Sequence, residues 1–213
     1  RLSWYTHNLN REHYVALVWR MEYVRGNMNY GILYCGFFIV LKGYSDANWI
    51  FDLNETKCTS GYVFTFGGGV ITWKSANQTI IARSTTESEF IALELAGSKV
   101  DWLRNFLANI PPSKDLLLPV SIHCDCQAVI AITENKSYNC KSWHTKLKYD
   151  VIKQLLRDGI LFIDFAESKL NLADPLTKPI GRKLIFQTTK EMDLGQRVVH
   201  RDDNPSYVIG NPM

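Results

Sequence analysis

GYVFTFGGGVITWK, residues 61–74, consists of two strand-like runs, 61–66 and 70–74, joined by a triple glycine. β-Branched and aromatic residues suit the pleated surface of a sheet, and glycine supplies the positive φ angles of a tight turn, so the stretch predicts a β-hairpin. Next along the chain, STTESEFIALELAGSKVDWLRNFLAN (residues 84–109) is rich in Glu, Ala and Leu and stops before Pro111-Pro112. That pattern predicts a long helix over 86–109, because proline cannot continue a helix. Its start offers two capping boxes, Ser84 with Glu87 and Thr86 with Glu89, either of which would satisfy free amides of the first turn.

Upstream of the hairpin, residues 38–45 form a further strand-like run. Before that, Tyr14, Leu17, Val18 and Met21 recur at i, i+3, i+4 and i+7 within 10–25, the apolar stripe of a helix that ends at Gly26-Asn27. Downstream, Val120, Ile122 and Cys124 alternate with Ser121 and His123, which predicts a strand ending at Asp125, with a short helix over 127–133. Over 145–157, Leu147, Val151 and Leu155 with Ile152 and Leu156 make an apolar face, leaving Lys146, Lys148, Lys153 and Arg157 outside. Gly159 stops this helix, 160–165 reads as a strand, and 171–178 as a last helical piece cut by Pro179. The order βββ-α-β-α-α-β-α predicts an α/β fold, a mixed five-stranded sheet with helices packed on its faces. The expected organisation is a leading segment 1–42, a main domain 43–180, and a C-terminal helix with a mobile tail over 181–213.

With 213 residues, 46% of them apolar, the chain can bury one core of ordinary domain size. No apolar run approaches the ~20 residues of a spanning helix; GILYCGFFIVL (31–41) is too short, so no membrane partner is expected. Cys35, Cys58, Cys124, Cys126 and Cys140 are odd in number and lack CxxC spacing, which argues against a disulfide framework or a zinc knuckle and fits a reducing compartment. The formal charge of +3 is too small to mark a nucleic-acid binder by itself.

Four carboxylates stand at element ends in this reading. Asp46 follows the first strand of the main domain, Glu89 lies in the first turn of the long helix, Asp125 ends the fourth strand, and Asp174 sits in the last helix. Gathered at one sheet edge, four negative charges repel each other unless hard cations neutralise them, which points to Mg²⁺ or Mn²⁺. Two such ions serve phosphodiester hydrolysis without a Ser, His or Cys nucleophile.

The motif set resembles the ribonuclease H region of copia-type LTR retrotransposon Pol polyproteins. GYSDANW (43–49) is similar to the family's first-aspartate motif, TSGYVFTFGGG (59–69) with ITWKS (71–75) to its hairpin, and STTESEFIAL (84–93) to its glutamate motif. HCDCQAVIAI (123–132) is similar to its second-aspartate motif, and NLADPLTKP (171–179) completes the set. Within residues 1–42, HYVAL (13–17) and YVRGNMNYGI (23–32) resemble the end of the preceding reverse transcriptase. The resemblance implies a ribonuclease H-like fold in which Asp46, Glu89, Asp125 and Asp174 are the catalytic, metal-binding acids, holding two Mg²⁺ or Mn²⁺ ions. The family's acid precedes an aromatic or aliphatic residue, hence Glu89 before Phe90, which leaves Glu87 to cap with Ser84. Gln127 matches a position where related enzymes set a polar residue against the hybrid; a plain helix-surface glutamine is the equal alternative. The implied partners are an RNA–DNA hybrid and the reverse transcriptase portion of the same polyprotein, with no small-molecule cofactor. The implied location is a cytoplasmic retroelement particle, with the nucleus as alternative.

Some positions depart from the family pattern. Trp19 and Glu22 stand where basic residues are common, and Trp143 replaces an Arg before His144, each change removing a candidate phosphate contact. Asp150 and Lys146 also differ from the usual residues. These departures keep a second reading open, a catalytically inactive relic that retains the fold as a nucleic-acid or protein binding module. For Trp49 and Trp73, packing in the sheet is expected ahead of stacking on bases. For His144, a cap or solvent role is expected ahead of proton transfer.

Overall fold

The computed structural model describes residues 6–32, 34, 40–49, 58–109, 119–135, 143–198 and 206–208. In chain order the elements are α1 (Arg11–Gly26), β1 (Tyr30–Ile32), β2 (Leu41–Asn48), β3 (Thr59–Phe66), β4 (Gly69–Asn77) and α2 (Thr85–Ala108). There follow β5 (Val120–Cys124), α3 (Gln127–Glu134), α4 (Trp143–Arg157), β6 (Leu161–Phe165), α5 (Asp174–Thr177), α6 (Arg182–Glu191), β7 (Leu194–Val198) and β8 (Ser206–Val208). One 3-10 turn, Ser168–Leu170, precedes α5. The elements group into two compact units, Ile32–Asp193, and Arg1–Gly31 with Leu194–Met213. Among the described residues no helix is long and apolar enough to cross a membrane.

The unit Ile32–Asp193 carries the expected βββ-α-β-α-α-β-α order, followed by α6. Its five strands lie in the order β4-β3-β2-β5-β6. The β2–β3 and β3–β4 pairs are antiparallel, while β2–β5 and β5–β6 are parallel, so the sheet is mixed as the sequence predicts. Gly67 and Gly68 turn the β3–β4 hairpin at φ 60° and 89°, left-handed angles that a residue with a Cβ adopts only at a cost. The two parallel joins need crossovers, and α2 with the α3–α4 pair supplies them.

One sheet face packs against α2 and α4. Phe90, Leu93, Val100, Leu103 and Leu107 of α2 and Tyr149, Ile152 and Leu155 of α4 close over Tyr62, Phe64, Val120, Ile122 and Leu161 of the strands. The helices approach closely at Gly97, where an added Cβ would stand 2.5 Å from Ile152 Cδ1. On the opposite face Val63, Val70 and Leu172 form a smaller cluster with Tyr44, Leu176 and Met192 against it. Strand β3 is buried on both sides, because alternate residues serve the two clusters.

Several local expectations are corrected. The strand expected over 38–45 runs Leu41–Asn48, so Asp46 lies within it rather than after it; residues 38 and 39 are outside the described residues. Glu89 lies past the first turn of α2, whose first-turn acid is Glu87. The piece expected as one helix over 171–178 is the four-residue α5. Of the apolar face predicted for α4, Ile152, Leu155 and Leu156 pack on the core, while Leu147 and Val151 are exposed and Tyr149, not predicted, is buried. Lys148 pairs with Glu94, and Lys153 reaches the Asn135 carbonyl at 2.5 Å, so neither is simply outside. Trp49 and Trp73, expected to pack in the sheet, are 40% and 58% exposed.

In the other unit, Asn10 caps α1 reciprocally with His13, at 3.0 and 3.2 Å. No residue of α1 is buried, including the predicted stripe Tyr14, Leu17, Val18 and Met21. Tyr14, Val15, Leu17, Trp19, Met21, Tyr23 and Val24 are spread around the helix, so no single face gathers its apolar side chains. Strands β1, β7 and β8 form a three-stranded sheet in the order β1-β7-β8, with β7 and β8 antiparallel. Residues 194–198 and 206–208, expected within a mobile tail, are thus strands.

Candidate active site

The parallel register of β2 and β5 begins the site. Ser45 pairs with Cys124, so the next residue of each chain segment, Asp46 and Asp125, comes side by side at the centre of the sheet. Asp46 is 1% exposed, in a strand flanked on both sides. From α2, Glu89 reaches the same place and accepts the Ala47 backbone N–H at Oε2, 3.1 Å away. Glu87 is engaged elsewhere: Ser84 caps its N–H at 3.1 Å, and its own carboxylate accepts the Arg83 N–H at 2.8 Å. The cap is therefore Ser84, with the reciprocal bond displaced by one residue from the expected box.

Asp174 arrives on α5, and buried polar contacts dictate where that short helix sits. Asn171, wholly buried, donates from Nδ2 to the Ser45 carbonyl at 2.9 Å and accepts the Ala173 N–H at 3.1 Å. Ser75 Oγ donates to the Leu176 carbonyl at 2.6 Å. Gly61, the register partner of Asp46, leaves the space that α5 fills, since an added Cβ would stand 2.8 Å from Thr177 Cγ2 and 3.1 Å from Leu176 Cβ.

The structure thus brings together all four acids singled out in the sequence. Asp46, Asp125 and Asp174 each offer a carboxylate oxygen, the three lying within 4.8 Å of one another. Glu89, Cys124 and Asp125 form an overlapping group on the same criterion. Thr177 Oγ1 donates to Asp46 Oδ2, and Ser168 Oγ donates to Asp125 Oδ2 at 2.6 Å. Lys178 Nζ lies 2.5 Å from Asp174 Oδ1 and 3.8 Å from Asp46 Oδ1. Asp46 Oδ1 is thus buried with no hydrogen bond, while Asp174 Oδ1 is held by the lysine ammonium.

Burial dominates the electrostatics. It lifts Asp46 to about 7, with Asp174 and Asp125 adding to the rise and Thr177 and Lys178 opposing it. Burial, then the charges of Asp46 and Asp125, lifts Glu89 to about 9. Burial also pushes the Cys124 thiol up to about 12, which removes it as a nucleophile near neutral pH. Buried carboxylate oxygens whose one shared neighbour is a lysine ammonium, converging with further carboxylates, are a donor set that suits a hard divalent cation.

Gln127 is exposed in the first turn of α3, two residues beyond Asp125. Trp49 stands just past β2, its Nε1 donating to the Ala82 carbonyl at 3.2 Å. The side chain of His144 lies outside the described residues. Sequence reasoning missed Asn171, Thr177 and Lys178, although all three lie in NLADPLTKP, and it missed Ser168. A polar residue beside an acid in a short motif was the available signal.

No protein-family model matches the chain. The Pol polyprotein of transposon TNT 1-94 from Nicotiana tabacum, described as retrovirus-related, is 33% identical over 90% of this chain and 14% of its own length. That of transposon RE1 from Arabidopsis thaliana is 31% identical over 85% of this chain and 12% of its own length. Among solved structures, an RNase H1 isolated from compost by a metagenomic approach aligns at 18% identity with a TM-score of 0.47, covering 66% of this chain and 94% of that one. The chain spans about one-seventh of the tobacco relative. Along most of its length, then, the chain is similar to one segment of the retrovirus-related Pol polyproteins of plant transposons.

Proposed function

We propose that the chain hydrolyses the RNA strand of RNA–DNA hybrids during reverse transcription of a retrotransposon, as a metal-dependent endonuclease. The observation that carries this reading is the convergence of Asp46, Glu89, Asp125 and Asp174, with Asp46 Oδ1 buried and without a hydrogen bond. Asp46, Glu89, Asp125 and Asp174 would hold two Mg²⁺ or Mn²⁺ ions, whose chemistry when bound would be activation of a water and stabilisation of the leaving oxygen of a phosphodiester.

The residues themselves do the holding. Asp46 is fixed by Thr177 and Asp125 by Ser168, so each carboxylate presents its remaining oxygen in a set direction. Glu89 is tied to the Ala47 N–H by one oxygen. Among the described groups near the cluster no activated Ser, His or Cys nucleophile is needed, and Cys124 is held as a thiol. Exposed Gln127 and Trp49 stand near Asp125 and Asp46 in the chain and supply a polar and an aromatic contact for a nucleic acid. Recognition through 2′-hydroxyls and the shape of the hybrid predicts low sequence specificity. The reverse transcriptase portion of the same polyprotein is the natural partner in presenting the hybrid.

Cleavage of an end-labelled RNA–DNA hybrid with Mg²⁺ or Mn²⁺, beside Asp125→Asn, tests this. Metal-dependent cutting of the RNA strand by the wild-type chain and its loss in the variant are expected. If the pure protein binds the hybrid but never cuts it, the inactive-relic reading takes its place. Equal cutting by the variant would move the chemistry away from this cluster.

A further inference from the structure

The acidic cluster contains a basic side chain. Lys178 follows α5, and its backbone N–H donates to the Asp174 carbonyl at 3.2 Å, which fixes its Cα beside the cluster. Its Nζ approaches Asp174 Oδ1 and Asp46 Oδ1, at 2.5 and 3.8 Å. Both oxygens are buried, apart from the lysine neither has a hydrogen-bond partner, and they are the ones that a hard cation would claim. The lysine side chain is itself 35% exposed, so its stem leads out to water. A lysine ammonium is a compact point charge on a flexible four-carbon stem, well suited to leave one position and return to it while the backbone stays in place.

We propose that the Lys178 ammonium holds the cation position between Asp46 and Asp174 in the metal-free protein, and that a divalent ion binding those two oxygens must displace it. This rests on the metal-binding reading of the cluster. Two consequences follow from charge alone. Without metal, Lys178 offsets the repulsion among buried carboxylates and so stabilises the fold. With metal, the ion must compete with a positive charge already in place, which weakens its apparent affinity. Lys178 is then a positioning residue that sets how much free metal is needed to assemble the site.

Isothermal titration of the full chain with Mn²⁺ alone, comparing wild type, Lys178→Met, Lys178→Arg and Asp125→Asn, tests the displacement. Lys178→Met should bind Mn²⁺ about tenfold tighter, on the order of what removing one nearby unit charge is worth after solvent screening. Lys178→Arg should bind no tighter than wild type, because the charge persists. In EDTA, Lys178→Met should also melt below wild type and gain more from added Mn²⁺. If Lys178→Met does not fold, Lys178→Gln, which keeps a polar tail, carries the same expectation. Unchanged or weaker Mn²⁺ affinity in the neutral variants, with binding still lost in Asp125→Asn, overturns the displacement and leaves the metal centre standing. Unchanged Mn²⁺ affinity with weaker hybrid binding would assign Lys178 to a phosphate instead, and also overturns it. Failure of wild type and the neutral variants alike to bind Mn²⁺ overturns both readings.

Discussion

Glu89 is held uncharged near neutral pH in the metal-free protein, first by burial and then by the charges of Asp46 and Asp125, which together lift it to about 9. Glutamine mimics the protonated acid in shape and polarity. Glu89→Gln should therefore leave metal-free melting near pH 7 almost unchanged, while abolishing the rise in melting temperature on adding Mn²⁺ and the cleavage of hybrid. A large loss of metal-free stability would mean that Glu89 is ionised there. Thr177 acts through Asp46, to which its hydroxyl donates. Thr177→Val should keep the fold and weaken metal affinity or activity roughly 10–100-fold, the usual cost of losing a group that orients a ligand, read by Mn²⁺ titration. The four acids were legible because each stands in a short motif beside a strand or helix end. Lys178 was not legible, because a lysine in a polar motif reads as a solvated charge until its distance to two carboxylates is known.

At the scale of elements, α5 is the least self-sufficient part of the site. Four residues cannot sustain a helix alone, so its place depends on Asn171, Ser75 and the space over Gly61. Gly61→Ala would force Thr177 and Leu176 away, since a Cβ there meets non-flexible atoms at 2.8 and 3.1 Å. The expected outcome is a loss of about 1–3 kcal/mol in denaturant unfolding together with weakened Mn²⁺ binding. Intact metal binding in Gly61→Ala would show that α5 can dock without this contact. The hairpin, α2, β5 and β6 were readable from their periodicity. The face of α4 was read in part: Ile152 and Leu155 point inward as predicted, but Leu147 and Val151 do not, because the inward side is centred where Ile152 meets Gly97 on α2. The apolar spacing within α1 gave a stripe that no described core covers, because further apolar residues surround the same helix.

For the molecule as a whole, the raised acids set a pH dependence with a definite sign. Asp46 and Glu89 bind protons more tightly when folded than in the unfolded chain, so their contribution is fully present below the ordinary carboxylate range near 4. It is lost as pH rises through about 7 and then about 9. Metal-free protein in EDTA should melt at a lower temperature at about pH 8 than at about pH 6, and millimolar Mg²⁺ should narrow that difference; a melting temperature that rises over this interval would contradict the raised values. The mixture of parallel and antiparallel pairs was readable, because a hairpin pairs its strands antiparallel and a βα crossover pairs them parallel. The exposure of Trp49 and Trp73 was not, because it depends on which strand ends and edges remain uncovered. The contact between Thr177 and Asp46 closes a span of 131 residues. A ribosome therefore releases the central strand long before the hydroxyl that orients its aspartate, and the sheet can form around an unfinished cluster. Translation therefore leaves the cluster incomplete until the segment carrying α5 has emerged, and the last of the four acids joins strands β2 to β6 that have all been made before it.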